Sequence, residues 1–393
     1  MPATQTEYVS RSSADFPAFN PARCEEVQRR HGLLAEFMHL QGADALLLQR
    51  PANMAWLTCG GDVLRAGSCQ PTATVFLTRD ARLVLTNNVD SAWLFDGPLN
   101  GLGLQVKERP WHEGREQLCV DLCRGRTVVT DLPGGELPSL DRELSQFRTR
   151  LNQHEEPLLR DLARDVTHAV EATCRTCREG TAESEMAGQV MHRLAHHQVA
   201  PVRVQVVSDG RGERYRHYGY TDAPIRGFAT VAAVGRRNGL HVGCARTFAF
   251  GTPSERLQQS HYHASLLLGA AFYFSQTGWS IDDTWTRLQR IYEKFGAVDE
   301  WRLADQGEIT GYEACEQIVA PGVKALLQTG QPVHWHPSVG PAVVGDTVLV
   351  QAEGQACLTR SIQWPMLTVS VKGTPIELPG ILIRDQHEEW AIG

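Results

Sequence analysis

The most informative segment of this chain is Arg236-Arg-Asn-Gly-Leu-His-Val-Gly-Cys-Ala-Arg-Thr-Phe-Ala-Phe-Gly251. We interpret it as part of a β-hairpin, and no carboxylate side chain occurs in it. His241 lies two residues before Gly243, so the two positions share one face of the predicted strand. The segment from Ala245 to Phe248 fixes the numbering of the other positions in this hairpin, including Gly243.

Length and composition predict an ordinary globular protein with two domains. The chain has 393 residues, of which 42% are apolar and 21% are charged, which is enough for two separate cores. No apolar run approaches the roughly 20 residues that a membrane span requires. The first residues lack a basic region followed by an apolar core. We therefore expect a cytoplasmic protein with no membrane partner.

The charge balance argues against a nucleic-acid partner. The formal net charge is −7, whereas a nucleic-acid groove needs a clustered basic face.

Ten cysteines invite a zinc or disulfide interpretation. However, the Cys174–Cys177 pair has no second CxxC and no histidine pair at zinc-finger spacing. Two sulfur ligands do not make a structural zinc site, so we predict reduced helix cysteines.

The first part of the chain predicts an α/β domain. Its elements are an amphipathic helix from Cys24 to about Gln41, a strand at 45–48, a hairpin of strands at 72–77 and 83–85, and a strand at 127–130. The segment up to about His154 is polar enough to be the domain link. We therefore predict one domain over residues 1–154 and a second over residues 155–393.

The second part has an internal pseudo-repeat of two helices, strands, two helices and strands. Its first helix carries apolar residues at three- and four-residue spacing from Leu158. Thr181 is predicted to cap the next helix. Alternation at Val202, Val204 and Val206 predicts a strand. Ser280 begins a capping-box pattern ahead of a later helix.

Several motifs resemble the creatinase, prolidase and aminopeptidase P family, whose catalytic domain has the pita-bread fold. The resemblance covers nearly the whole chain. The matching segments are the hairpin with Ala245-Arg-Thr-Phe248, Asn53 to Gly60, Arg214-Tyr-Arg-His217, the glycine-containing loop Asp305 to Glu316, His336-Pro-Ser-Val-Gly340 and Gly345 to Val350. The resemblance implies an α/β protein with a creatinase-type N-terminal domain, a pita-bread domain and a homodimer.

The metal-ligand positions of the family depart from its pattern in this sequence. The resemblance assigns them to Ala232, Gly243, Asp305 or Gln306, His336 and Gly345. A two-metal hydrolytic site needs several oxygen and nitrogen donors to hold both ions. We therefore predict that the chain binds neither of the two family metals and uses no cofactor.

The resemblance to creatinase, a member of the family that uses no metal, implies one function. It hydrolyses a small guanidino compound with a histidine as proton shuttle, and His217 matches that histidine. Imidazole can accept and donate a proton near neutral pH. We therefore predict a hydrolase of a small amide, guanidino or peptide-like C–N bond. Its predicted catalytic residues are His217 and Glu316, and its predicted substrate-binding residues are Arg216, Tyr218, Glu308, Arg246 and His336.

Two alternatives remain open from the sequence. The first is an inactive member of the fold that binds a small molecule, peptide or protein partner. The second is a replacement site for one zinc or iron ion, formed by His241, His334 and His336 with Asp305. Arg246 has an alternative structural role, which is to brace the sheet by pairing with an acid.

Overall fold

The computed structural model of the protein describes residues 20–217, 219–361 and 363–384. The chain divides into two compact units, Met1–Asp141 and Arg142–Gly393. Within the described ranges, no helix is long and apolar enough to cross a membrane. The α/β class predicted from the sequence is confirmed.

The first unit is an α/β layer around one mixed sheet. Its elements are α1 Pro21–Leu40, β1 Ala45–Leu48, α2 Pro51–Leu57, β2 Thr74–Thr78, β3 Arg82–Asn87, α3 Ser91–Asp96, β4 Gln105–Arg109, α4 Glu116–Cys123 and β5 Val128–Thr130. The sheet has the order β4-β3-β2-β1-β5. The predicted hairpin is the antiparallel β2–β3 pair, and helix α5 Asp141–Arg148 follows the unit.

Local chemistry explains how this unit begins and how its loop is held. Asn20 accepts a hydrogen bond from the Arg23 amide, and Pro21 occupies the first turn of α1, where a missing N–H costs nothing. The buried Asp131 carboxylate accepts bonds from the Asn53 amide group at 2.9 Å and from the Gln49 backbone amide at 2.8 Å. Asp131 therefore ties α2 to the end of β5.

The second unit repeats the order of helices and strands that the sequence predicted. Its elements are α6 Glu155–Thr176, α7 Glu183–His196, β6 Ala200–Ser208, β7 Phe228–Arg237, β8 Leu240–Phe250, α8 Glu255–Phe274, α9 Ile281–Lys294, β9 Gly307–Ile309, β10 Gln317–Ile318, β11 Pro332–Trp335, β12 Ser338–Val339, β13 Ala342–Val343, β14 Asp346–Val350, β15 Gln355–Cys357, β16 Met366–Val371, β17 Thr374–Pro379 and β18 Ile381–Arg384. Two larger sheets have the orders β18-β8-β7-β6 and β10-β9-β11-β14-β15.

Two predicted helix caps had different outcomes. Ser280 is the N-cap of α9, and its hydroxyl accepts a bond from the Asp283 amide, which confirms the capping pattern. The prediction for α7 was wrong, because its N-cap is Ala182 rather than Thr181. The Thr181 hydroxyl instead accepts a bond from the Arg178 amide. The Thr181 side chain therefore stabilises the turn before α7 and not the first turn of that helix.

The polar segment before His154 is not a simple connection. The second unit begins at Arg142, and Arg148 at the end of α5 is only 3% exposed. Its guanidinium lies 2.8 Å from the buried Glu316 carboxylate. A buried charge requires a partner, so this part of α5 belongs to the core of the second unit.

The turn chemistry of the β7–β8 hairpin fixes its register. Asn238 and Gly239 both have positive φ, at 54° and 73°, and a two-residue turn with that backbone matches the twist of paired strands. Ala232 consequently lies opposite Ala245, and Val234 lies opposite Gly243. Alternation along the strands places these four positions on one face of the hairpin.

The two sheets of the second unit approach each other closely at β8. The Ala245 amide donates to the Gly345 carbonyl at 2.8 Å, and the Thr347 hydroxyl donates to the Gly243 carbonyl at 2.7 Å. A Cβ on Gly345 would lie 3.2 Å from the Trp335 carbonyl and 3.3 Å from the Ala245 side chain. Glycine at this position therefore permits the contact between the sheets.

Arg246 holds this junction from the opposite face of β8. Its side chain has no exposure and contacts Glu171 at 2.9 Å and Asp346 at 2.8 Å. The same guanidinium donates to the Thr359 carbonyl at 2.6 Å. These contacts support the bracing role, and they leave Arg246 away from any solvent-accessible surface where a substrate could bind.

The brace gives a stability prediction. Arg246→Met should lower the free energy of unfolding by about 3 to 5 kcal/mol, because it leaves the buried Asp346 carboxylate without its cation and leaves Glu171 with Arg175 alone at 3.6 Å. The matched control is Arg160→Met on α6, whose exposed pair with Glu156 contributes only about 0.3 to 0.5 kcal/mol. Urea unfolding of both variants would test this, and equal losses would contradict the bracing role.

Candidate active site

Glu308 is the centre of a buried cluster in the second sheet. Strands β9 and β11 pair so that Glu308 lies directly opposite His334. Glu308 Oε1 lies 3.0 Å from His334 Nδ1, and Oε2 lies 2.5 Å from His336 Nε2. All three residues are about 95% buried. His334 and His336 are two residues apart, so their side chains share a face, and both rings contact this one carboxylate.

The surroundings set the ionisation of this cluster. Burial opposes the charge on Glu308, but His336 and His334 outweigh it and lower the pKa of the carboxyl well below its usual range. Burial lowers the pKa of His334 to about 4. At neutral pH the cluster therefore holds a carboxylate beside a neutral His334 imidazole.

A second pair lies on the more open side of the cluster. His217 Nε2 is 2.8 Å from Asp305 Oδ1, and the two side chains are 30% and 33% exposed. The hydrogen bond to His217 is the main cause that lowers the pKa of Asp305 to about 2. The rings of His217 and His336 are 5.4 Å apart and nearly perpendicular. The exposed pair and the buried cluster therefore form one continuous site.

The His334 ring leaves no room for a side chain at Gly243. A Cβ built on Gly243 would lie 2.5 Å from Cε1 and 2.7 Å from Nε2 of His334. These distances are far below ordinary contact. The imidazole thus occupies the space in which the family pattern expects an aspartate side chain. The space beside Gly243 is therefore filled by the His334 ring.

The remaining family positions do not rebuild a two-metal centre. Ala232 and Gly345 carry no donor side chain, and a Cβ on Gly345 would be tight against the sheet contact described above. Gln306 is occupied by a 2.5 Å bond from the Tyr292 hydroxyl. Glu308, rather than Asp305 or Gln306, is the residue of this segment that meets both His334 and His336. Among the described residues, two groups of donors converge instead, and they share His336: His217, Asp305 and His336, and Glu308, His334 and His336.

Three other predicted site residues lie in different surroundings. Glu316 is fully buried in its pair with Arg148 and also accepts a bond from the Glu313 amide, so it braces the loop. His241 faces the Gly311 carbonyl at 3.1 Å and belongs to neither group of converging donors among the described residues. Tyr218 lies outside the residues that the structure describes.

Arg216 lies next to His217 in the chain and is 7% exposed. One of its nitrogens contacts Glu300 at 2.5 Å. Within the described part of the chain, its Nε and Nη1 atoms are buried without a hydrogen-bond partner. Buried unpaired donors are unusual, and an anionic group could accept bonds from them.

Sequence reasoning did not link Glu308 to the two histidines, and it overlooked Arg203. Arg203 on β6 reaches Glu308 Oε1 at 3.4 Å. The alternation of strand residues indicated the correct faces, but strand pairing between β9 and β11 was not visible in the sequence. The pairing of His217 with Asp305 had no local signal because the two residues are 88 positions apart.

Packing at Gly243 gives a second prediction. Gly243→Ala should destabilise the protein by about 1 to 3 kcal/mol, because the new methyl group overlaps the His334 ring. In a His334→Ala background the same substitution should cost much less, and the pair should show a coupling of about 0.5 to 3 kcal/mol.

A control substitution separates this overlap from a general effect of glycine replacement. Gly188 lies in α7 with nothing within 4 Å of a built Cβ. Gly188→Ala should therefore stabilise the protein by up to about 1 kcal/mol. Urea-unfolding measurements on the four variants of the cycle and on the control would decide. Additive losses at Gly243 and His334 would refute the packing explanation.

Comparisons with known proteins agree on this fold. Residues 158–353 match Metallopeptidase family M24. "Putative dipeptidase YkvY" of Bacillus subtilis (strain 168) is 24% identical over 254 residues, which cover 62% of this chain and 70% of that protein.

Solved structures are similar over most of the chain. The Xaa-Pro dipeptidase from Bacillus anthracis has a TM-score of 0.73 at 14% identity and covers 91% of this chain and 100% of that one. Dipeptidase PepE from Mycobacterium ulcerans has a TM-score of 0.72 at 17% identity and covers 92% and 99%. These likenesses show the pita-bread fold. With the matched residues 158–353, they place the chain in metallopeptidase family M24, the family of creatinase, prolidase and aminopeptidase P.

Proposed function

We propose that this chain hydrolyses a C–N bond in a small amide, guanidino or peptide-like compound, with His217 as the general acid/base. The observation that carries the proposal is the 2.8 Å contact between His217 and Asp305. Both side chains are about one-third exposed, so a substrate can reach them. The adjoining buried cluster supplies further fixed polar groups without the two-metal centre of the family.

The contact with Asp305 determines what His217 can do. Asp305 is an anion at neutral pH, so it accepts the Nε2–H of His217 and favours the tautomer with its lone pair on Nδ1. A water molecule near Nδ1 loses a proton to the imidazole as its oxygen bonds to the substrate carbon. The imidazolium then returns the proton to the nitrogen whose bond to that carbon breaks.

Arg216 supports an anionic group on the substrate. Its buried Nε and Nη1 atoms are unpaired among the described residues, and the residue directly precedes His217. A guanidinium binds a carboxylate through charge-assisted hydrogen bonds. The proposal therefore favours amino acids and short peptides with a free carboxylate. The dipeptidase names of several relatives make dipeptides the first compounds to test.

A binding protein without turnover is the second candidate. This candidate is favoured by Ala232, Gly243 and Gly345. These residues stand at metal-ligand positions of the family and have no donor side chain. In this alternative, the same cluster would hold a small polar ligand without breaking a bond. Under the hydrolase proposal a bound substrate is converted, so product analysis separates the two candidates.

The proposed base gives a third prediction. His217→Asn should lower kcat/KM by roughly 10²- to 10⁴-fold on any compound that the protein hydrolyses. The thermal midpoint should change little because the side chain is partly exposed. The matched control is His192→Asn on α7, outside both groups of converging donors. Dipeptides, amino-acid amides and guanidino acids would be incubated with each protein, and the products measured by mass spectrometry.

Three outcomes are informative in this experiment. Loss of turnover in His217→Asn but not in His192→Asn supports the assignment. Turnover that persists in His217→Asn shows that His217 is not the base. A compound that raises the thermal midpoint of the wild type without being converted favours the binding protein.

A further inference from the structure

We propose that Glu308, His334 and His336 bind one divalent transition-metal ion, in a site that this chain has built from a different set of ligands than the family pattern. Any catalytic part played by the ion rests on the proposed function, whereas its binding does not. Two imidazoles and one carboxylate are a ligand set that suits zinc or iron(II).

The positions of the donor atoms support the site. Glu308, His334 and His336 each offer one ligand atom, and these three atoms lie within 4.8 Å of one another. Donors around a tetrahedral zinc ion are about 3.3 Å apart, given bonds of about 2.0 to 2.1 Å. The Glu308 carboxylate now lies 2.5 Å from His336 and 3.0 Å from His334. A small movement of the carboxylate would lengthen both distances to the spacing that zinc needs.

The surrounding structure already holds two of the three ligands in place. His334 is paired across the strands with Glu308, and its ring is packed against the backbone at Gly243. His336 follows the end of β11, and its amide donates to the Gln306 carbonyl at 2.9 Å. Because ligands fixed before binding lose less freedom, this packing favours an ion over a loose cluster of hydrogen bonds.

Charges around the cluster leave one open side. Arg203 reaches Glu308 Oε1 at 3.4 Å, and its side chain is 36% exposed. It can therefore move away from an incoming cation or orient the carboxylate from outside. On the other side, Asp305 Oδ2 lies 3.9 Å from His336 Nε2. Three protein ligands with an open position toward Asp305 and His217 is the arrangement of a catalytic rather than a structural zinc site.

Metal binding can be measured without any substrate. The full chain would be stripped with a chelator and titrated separately with Zn²⁺, with Mn²⁺ and, without oxygen, with Fe²⁺, using calorimetry and metal analysis after gel filtration. We expect one Zn²⁺ or Fe²⁺ per chain. The Co²⁺-loaded protein should show the visible absorption of a four- or five-coordinate ion, and X-ray absorption should detect imidazole ligands.

Variants assign the ligands. Glu308→Gln and His334→Ala should each weaken binding by more than the roughly 10- to 100-fold that loss of an outer-shell partner costs. His217→Asn and the control His192→Asn should retain binding. If either ligand variant fails to fold, the Co²⁺ and X-ray absorption spectra of the wild type still test the imidazole ligands. Unchanged binding in a folded Glu308→Gln variant, no bound ion, or two ions per chain would overturn the proposal.

The two proposals can fail separately. A bound ion together with turnover that survives His217→Asn refutes the acid/base assignment and leaves the metal site standing. No bound ion together with turnover that requires His217 refutes the metal site and leaves the hydrolase standing. Neither result can be mistaken for the other, because binding is measured without substrate.

Discussion

The contact between the His334 ring and the bare backbone at Gly243 is the constraint on which the site depends. A side chain at Gly243 would overlap the imidazole at less than 3 Å, so the two positions can only change together. With the ring in this place, its Nδ1 faces Glu308. Glu308 also contacts His336 through its second oxygen. One missing side chain on β8 therefore fixes a cluster that is built from the neighbouring sheet.

Scaffold and chemistry use different residues in this domain. Arg246, Glu171 and Asp346 hold the sheets together on one face of β8, and these residues have no exposed surface for a ligand. The opposite face carries Gly243 and the histidine cluster. Because the brace acts through buried charges that must remain paired, the fold can persist while the groups on the other face are exchanged. Fold and function are separable for this reason.

The site combines a buried and an open part. Glu308, His334 and His336 are almost inaccessible, and their hydrogen bonds are strengthened by the low dielectric of the interior. His217 and Asp305 are partly exposed and contact the same cluster through His336. Such an arrangement pairs rigid polar groups with a histidine that can exchange protons with bound molecules. Family M24 supplies the fold for this site, and Glu308, His334 and His336 supply its buried polar groups.

The sequence determined much of the architecture. The sequence pattern predicted α1, α6 and the first-unit strands β1, β2, β3 and β5 but missed β4, and Asn238-Gly239 fixes the β7–β8 turn through positive φ. Motif resemblance identified the fold and showed that two glycines stand where acids are expected: Gly243 in the hairpin segment and Gly345 before Asp346-Thr347. It also singled out His217, Glu308 and His336. These features are visible because they depend on local spacing, backbone conformation and residue type.

Only the tertiary structure decided how these residues combine. Glu308 and His334 meet through strand pairing across 26 positions, and His217 meets Asp305 across 88 positions. Local periodicity records neither contact. The sequence offered Glu316 as a catalytic residue and Arg246 as a substrate contact. Long-range packing buries Glu316 against Arg148 and Arg246 against Glu171 and Asp346. Sequence alone thus determined which chemical groups are present, while the burial and register of distant strands decided which of them share a site.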